Sequence, residues 1–232
     1  MHCTWRKQLR ACASACKVRL QDSTMRLAVF AALCVGAFGA TVQDVNEFVD
    51  TVLGDKMQTF PNLDPMNALG RYVKLGNVIR SDWTANLKNV QVTGLSKVRR
   101  SGDCAEAKAL PSGRVVVQCS LSMDALVVQF TSEQSYLGGR PDVIGVTATF
   151  PPHLVSLRAE VGARRYPDVK LTLRSKLEPS LSYTNLGKLT ENRAMKNGYS
   201  YAASDTLHRQ LQKEYVDYLA QAVMGVPLPY GR

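Results

Sequence analysis

Histidine is scarce in this chain. Three occur in 232 residues, and beyond residue 39 only His153 and His208 remain. They lie on different stretches, with no carboxylate or cysteine at ligand spacing, so neither a zinc site nor a Ser-His-Asp triad is expected. The glycine signatures of catalysis and nucleotide binding are also missing: no G-x-S-x-G elbow, no Walker loop, no G-x-G-x-x-G. Gly138-Gly139 follows no buried parallel strand and reads as a hairpin turn. Residues 40–232 contain no N-x-[ST] sequon. There is no internal repeat, low-complexity tract or interdomain linker. These absences point away from chemistry: no enzyme, no catalytic residues, no metal and no cofactor are expected.

Charge is unevenly placed. The whole chain carries 29 Lys and Arg against 19 Asp and Glu, but residues 1–39 hold Arg6, Lys7, Arg10, Lys17, Arg19 and Arg26 against Asp22 alone. Residues 40–232 keep 23 basic and 18 acidic residues, a net of +5, which is too mild for a nucleic-acid footprint. The apolar run from Leu27 to Gly39 has 13 residues, short of the ~20 that a membrane-spanning helix needs. It fits the apolar core of a secretory signal peptide, with small residues placed for cleavage before Ala40 or Thr41. The expectation is a signal peptide over 1–39 and one domain over 40–232. Residues 1–24, with Cys3, Cys12 and Cys16, make an atypically long leader, and Met25 alone would begin an ordinary one. After cleavage only Cys104 and Cys119 remain of the six cysteines, and one even pair in a secreted, extracellular chain reads as a disulfide. Closing so short a loop is worth on the order of 3 kcal/mol.

The pattern beyond residue 40 is helix, strands, helix. Thr41 to Leu53 predicts a helix capped by Thr41 and Asp44, with Val42, Val45, Phe48, Val49, Val52 and Leu53 on one face and Gly54 at its end. Pro61 and Pro65 make 60–70 a turn region. Val73 to Ala85 predicts a strand, with Val78, Ile79 and Trp83 as anchors. Asn86 to Phe130 is the most informative stretch. Its apolar parity changes twice, after Gly94 and between Met123 and Leu126. A period-two strand cannot change parity without an extra residue or a bend, so a strongly curved sheet is expected. Leu137–Pro141 reads as a turn. Ile144 to Phe150, Val155 to Val161 and Val169 to Leu173 alternate as further strands of an antiparallel meander. Residues 178–203 read as mostly loop. From Ser204 or Asp205 to Met224 a helix is expected, with Leu207, Leu211, Tyr215, Tyr218, Leu219, Ala222 and Val223 as its stripe and Gly225 and Pro227 as its stop.

Leu87 to Gly102, LKNVQVTGLSKVRRSG, resembles the strand that carries the N-I-Q-V-x-G-L pattern in mite group 7 allergens. The LDPM at Leu63–Met66 resembles a turn found in those allergens and in takeout and juvenile-hormone-binding proteins. The stretch GRVVVQCSLSMDALVVQF is similar in order and length to the same region of the allergens. The resemblance implies the tubular lipid-binding (BPI-like) fold in a one-module arthropod form. That is an α+β fold, a strongly curved antiparallel sheet wrapped around a long C-terminal helix with a second helix at the N-terminus. It implies binding of hydrophobic molecules without catalysis. The chain departs from the pattern in two places. Cys104 and Cys119 are not placed like the N-terminal cysteine pair of takeout proteins, and Ser175 to Ala203 is more polar than in the allergens.

The expected function is a secreted protein that binds lipids or small hydrophobic ligands in an apolar groove. The expected lining is Val90, Val92, Val115, Val117, Leu126, Val128, Phe130, Ile144, Val146, Phe150, Leu211, Tyr215 and Leu219. The alternative is an extracellular salivary or immune effector that meets a protein or polyanion through its surface and keeps a vestigial pocket. Lys170, Arg174 and Lys176, with Arg158, Arg164 and Arg165, would then supply a basic face for an anionic lipid surface or a polyanion.

Overall fold

A computed structural model describes residues 40–75, 83–135, 142–162, 165–184 and 193–229. The leader over 1–39 with its cysteines, Val78 and Ile79, the turn at Leu137–Pro141 and Arg164 lie outside the described residues.

The first helix, α1 (Val42–Thr51), begins as the sequence predicts. Thr41 Oγ1 accepts from the Asp44 backbone N–H (3.2 Å), and the Asp44 carboxylate accepts from the Thr41 N–H (2.9 Å). Two orphan donors are thereby satisfied reciprocally. Val45, Phe48 and Val49 are buried. The helix does not stop at Gly54. It continues through a π-helical turn (Val52–Lys56) and a 3₁₀ turn (Met57–Thr59). Val52, Leu53 and Met57 keep the buried stripe going, and that burial outweighs the weak helix propensity of one glycine.

Among the described residues eleven strands follow, all paired antiparallel. One sheet runs β3 (Thr84–Thr93), β7 (Val127–Ser135), β8 (Asp142–Thr149), β11 (Ser180–Thr184), with β1 (Met66–Ala68) and β2 (Arg71–Lys74) both on β3. The other runs β4 (Arg99–Arg100), β6 (Val115–Met123), β9 (His153–Gly162), β10 (Arg165–Leu173), with β5 (Lys108–Ala109) on β6. The chain passes from one sheet to the other between β3 and β4, β6 and β7, β8 and β9, and β10 and β11. Because the two orders correspond strand for strand, the sheets are two arms of one four-stranded surface, bent sharply across every strand.

The bend sits where the parity changes. At Gly94 φ is +91°, and a Cβ there would stand 2.5 Å from the Ala125 carbonyl oxygen, so one crossing is pressed against the next. Ala125 itself has φ of +54°. The Phe150 N–H donates to the Leu126 carbonyl (2.9 Å) and ties in the third crossing. Asp64, from the LDPM turn, accepts from the N–H groups of Gly94 (3.0 Å) and Ser96 (3.1 Å) and from the Ser96 hydroxyl (2.5 Å). That turn is therefore a clamp on the bend. A further parity change lies within β3: Asn89, with φ of +50°, forms a bulge between Lys88 and Gln91 and moves the inward set from Ala85 and Leu87 to Val90 and Val92.

Two expectations are corrected. Val73 to Ala85 is no single strand but a hairpin, with Lys74 opposite Thr84 and the Leu75 N–H donating to the Trp83 carbonyl (2.9 Å). Residues 178–203 are not mostly loop. They hold β11 and the start of the long helix, whose first segment α2 spans Arg193–Gln210. A π-helical turn (Leu211–Tyr215) joins α2 to α3 (Val216–Met224), which ends at Gly225. The buried face of α2 is Met195, Tyr199, Ala202, Ala203, Thr206, Leu207 and Gln210. The spacing is helical, but the residues are mostly small or polar, so hydropathy alone does not mark them.

The disulfide joins Cys104 to Cys119, with Cα atoms 4.4 Å apart. It fastens the loop between β4 and β5 onto β6. Asn46 of α1 holds the same loop, accepting from the Cys104 N–H (2.9 Å) and donating to Asp103 (2.8 Å). Among the described residues no helix is long and apolar enough to cross a membrane.

Candidate functional site

Alternation along each strand aims one set of side chains into the bend and the other outward. All thirteen residues expected to line a groove are on the inward set or on the long helix, and each is buried, at 5% exposed or less. Val90 and Val92 lie on β3, Val128 and Phe130 on β7, and Ile144 and Val146 on β8. Val92 is opposite Val128, and Phe130 is opposite Val146. Leu126 and Phe150 sit at the bend. Val115 and Val117 belong to the other arm, opposite Val161 and Ala159. Leu211, Tyr215 and Leu219 come from the helix. They all join one continuous apolar core.

The helix divides that core. Its C-terminal part, the π turn and α3, lies closely along β10 and touches β9. Its N-terminal part, α2, meets β2, β7, β8 and β11. Leu211, Tyr215 and Leu219 therefore cover the β6–β9–β10 arm. α2 meets β7 and β8, with Tyr199 against Phe130, and none of its residues is in the expected lining.

Between α2 and its arm the space is spanned by rings. Tyr199 lies 5.7 Å from Phe130 and 6.1 Å from Tyr183, centroid to centroid. The Tyr199 hydroxyl meets two buried polar side chains of β7. Gln134 Nε2 donates to it (2.7 Å), and Ser132 Oγ lies 2.6 Å away. Burial pushes the Tyr199 hydroxyl above the usual tyrosine range, although both hydrogen bonds pull the other way. Tyr215, fully buried, is pushed up by desolvation as well. Arg71 of β2 fastens α2 from the side, pairing with Asp205 and donating to the Ala202 carbonyl (2.6 Å).

The surface offers other features. An open groove of about 820 Å³ runs between the exposed side of α1 and the β4–β5 loop, lined by Val42, Gln43, Asn46, Glu47, Asp50, Thr51, Asp55, Arg100 and Asp103. None of the thirteen lining residues reaches it. Its one cation, Arg100, forks onto Asp50 (3.0 and 2.7 Å), and that carboxylate holds the guanidinium above its ordinary range. The basic residues are also partnered: Arg158 with Glu160 (2.7 Å), Lys170 with Asp168 (3.3 Å), Lys176 with Glu178 (3.1 Å). Arg174 donates to Ser156 and Ser120. His153 is buried at the start of β9, its Nδ1 3.4 Å from Ser175 Oγ, while its Nε2 meets no partner among the described residues. A serine beside a histidine without an acid to orient the ring falls short of a triad. His208 is exposed on α2. Among the described residues no three His, Cys, Asp or Glu side chains gather as metal ligands.

No protein-family model matches the chain, and no curated protein matches it in sequence. Among solved structures, the crystal structure of Epiphyas postvittana Takeout 1 is similar at a TM-score of 0.34 and 11% identity, over 80% of this chain and 86% of that one. At that identity the likeness gives no correspondence between residues.

Proposed function

We propose that this protein is an extracellular carrier of lipids or small hydrophobic molecules, held between the bent sheet and the long helix, and that it performs no catalysis. One observation carries the reading. The sheet and helix enclose a single apolar interior, and in the β3–β7–β8–β11 arm the rings of Tyr199, Phe130 and Tyr183 lie between α2 and the strands. Rings on rotatable bonds are fillers that an apolar ligand can displace, whereas a backbone packed close cannot yield. The thirteen inward residues are proposed as lining, with those of the β7 arm nearest the ligand. The disulfide suits an oxidising compartment and favours secretion, with residues 1–39 as the leader and 40–232 as the functional unit. Membership in the takeout and juvenile-hormone-binding superfamily, and within it a group 7 allergen-like form, belongs to the same proposal. It rests on the LDPM turn and on the strand Leu87–Gly102.

The test is a titration of purified, delipidated protein with N-phenyl-1-naphthylamine, a neutral apolar fluorophore. Saturable enhancement, reversed by long-chain aliphatic competitors, is expected. No saturable binding would sink the carrier reading. The surface reading fares less well, because Arg158, Lys170 and Lys176 already have carboxylate partners and exposed pairs of this kind leave little net field.

A further inference from the structure

The inward face of β7 changes character along its length. Val128 and Phe130 are apolar, but the next two inward positions are Ser132 and Gln134, both 0% exposed. Ser132 is flanked by the buried Leu87 and Ile144, and Gln134 lies between the buried Ala85 and the exposed Asp142 at the strand end. Two polar side chains thus stand at the far end of an apolar trough, with the Tyr199 hydroxyl lowered onto them from α2.

Resting on the carrier reading, we propose that Ser132, Gln134 and Tyr199 are the headgroup site of the ligand, and that the ligand is an aliphatic chain ending in a neutral oxygen group, such as a long-chain alcohol, aldehyde or ester, rather than a fatty-acid anion.

Three arguments lead there. A hydroxyl or carbonyl oxygen buried without a partner costs roughly 2–7 kcal/mol, so an oxygen-bearing ligand needs donors or acceptors inside the protein, and this trio supplies both. Tyr199 and Gln134 can donate to a carbonyl or ether oxygen, and Ser132 can accept from an alcohol. Both strand side chains bond to the Tyr199 hydroxyl, at 2.6 and 2.7 Å, so the trio carries little penalty of its own. The trio itself carries no charge. Arg71, on the inward face of β2, is committed to Asp205 and the Ala202 carbonyl. A carboxylate there would be buried without a counter-ion, which costs far more than burying a neutral oxygen. Burial also keeps the Tyr199 hydroxyl protonated and able to donate.

A purely structural role, pinning α2 to β7, would affect stability but not the choice of ligand. The experiment reads that choice. 1-Dodecanol, dodecanoate and dodecane compete for bound N-phenyl-1-naphthylamine at neutral pH. Dodecanol is expected to bind at least about tenfold more tightly than either of the others, the equivalent of one good hydrogen bond. Tyr199→Phe keeps the ring and should bring the dodecanol-to-dodecane ratio close to one while dodecane affinity holds. Should that variant fail to fold, Ser132→Ala and Gln134→Leu are read in the same way. Dodecanoate binding as tightly as dodecanol, or a ratio unmoved in every folded variant, overturns the headgroup site and leaves the carrier reading standing. Displacement by none of the three overturns both.

Discussion

The two arms of the bent sheet share their strands but not their filling. In the β6–β9–β10 arm the inward residues are mostly aliphatic, with Cys119, Met123 and His153 among them, the helix lies along β10 and the Cys104–Cys119 bond fixes the neighbouring loop. In the β3–β7–β8–β11 arm the rings of Phe130, Tyr183 and Tyr199 meet between strand and helix, and Ser132 and Gln134 interrupt the apolar face. The helix adds to the difference: α3 presents Leu219, Ala220, Ala222 and Val223, whereas α2 presents Met195, Tyr199, Ala202 and Ala203. One arm is a packed core that holds the fold. The other is the arm in which ligand exchange is proposed.

The contrast depends on the bend, so the largest effect is expected there. Gly94→Ala forces a side chain onto the Ala125 carbonyl at a left-handed φ and should cost about 4 kcal/mol, combining backbone strain with a clash that backbone atoms cannot relieve. Chemical denaturation would show it, and a loss under about 1 kcal/mol would mean the crossings are not pressed together.

Next come paired truncations, one in each arm. Leu219→Ala and Phe130→Ala should each cost about 3 kcal/mol, as buried large-to-small changes do. They part in the presence of dodecanol. At about a hundredfold over its dissociation constant, a ligand returns about 2.7 kcal/mol to whatever it binds. If the truncated ring widens the site, melting-temperature gains with dodecanol should be larger for Phe130→Ala than for Leu219→Ala. Equal gains would erase the distinction between the arms.

Asp64→Ala should cost about 2 kcal/mol, because it removes a carboxylate that accepts from two backbone N–H groups and a hydroxyl at the bend. Wild-type stability in one Asp64→Ala denaturation series would reduce the LDPM turn to a spacer.

The smallest effect is alkaline. Tyr199 and Tyr215 titrate higher in the folded chain than the usual tyrosine value of about 10. Above that pH the unfolded chain has shed protons that the folded chain retains. Their contribution is therefore intact below pH ~10 and is lost as pH rises beyond it. Tyr215→Phe should flatten the fall in stability measured from pH 9 to 11, and an unchanged slope would place the loss elsewhere.

Much of the fold can be read from residue order. Val and Leu at alternate positions mark the strands, and the parity changes at Gly94 and between Met123 and Leu126 mark the bend, because only a break in a period-two chain produces them. The disulfide follows from counting cysteines. The start of the long helix is not legible in the same way. Tyr199, Ala202, Ala203, Thr206 and Gln210 recur at helical spacing, but alanine, threonine and glutamine carry little hydropathic signal, and Gly198, Asn197 and Ser200 are weak helix formers. Gly198 is there because a Cβ would stand 2.8 Å from the Leu75 side chain, a close approach that no local pattern announces. Gln134 and Ser132 are polar and carry no hydropathic sign of facing inward. The signal that could have placed them inside was the apolar partner opposite: Ile144 faces Ser132, and a buried neighbour implies a buried position.

The central claim is that the interior exchanges its filling for a hydrophobic molecule. Native mass spectrometry of the protein purified without detergent tests it most directly. The account predicts a population heavier than the disulfide-bonded chain by a small organic mass, lost on solvent extraction and recovered in the extract as a neutral, oxygen-bearing aliphatic compound. A bare chain that takes up neither dodecanol nor dodecane when they are added would contradict it.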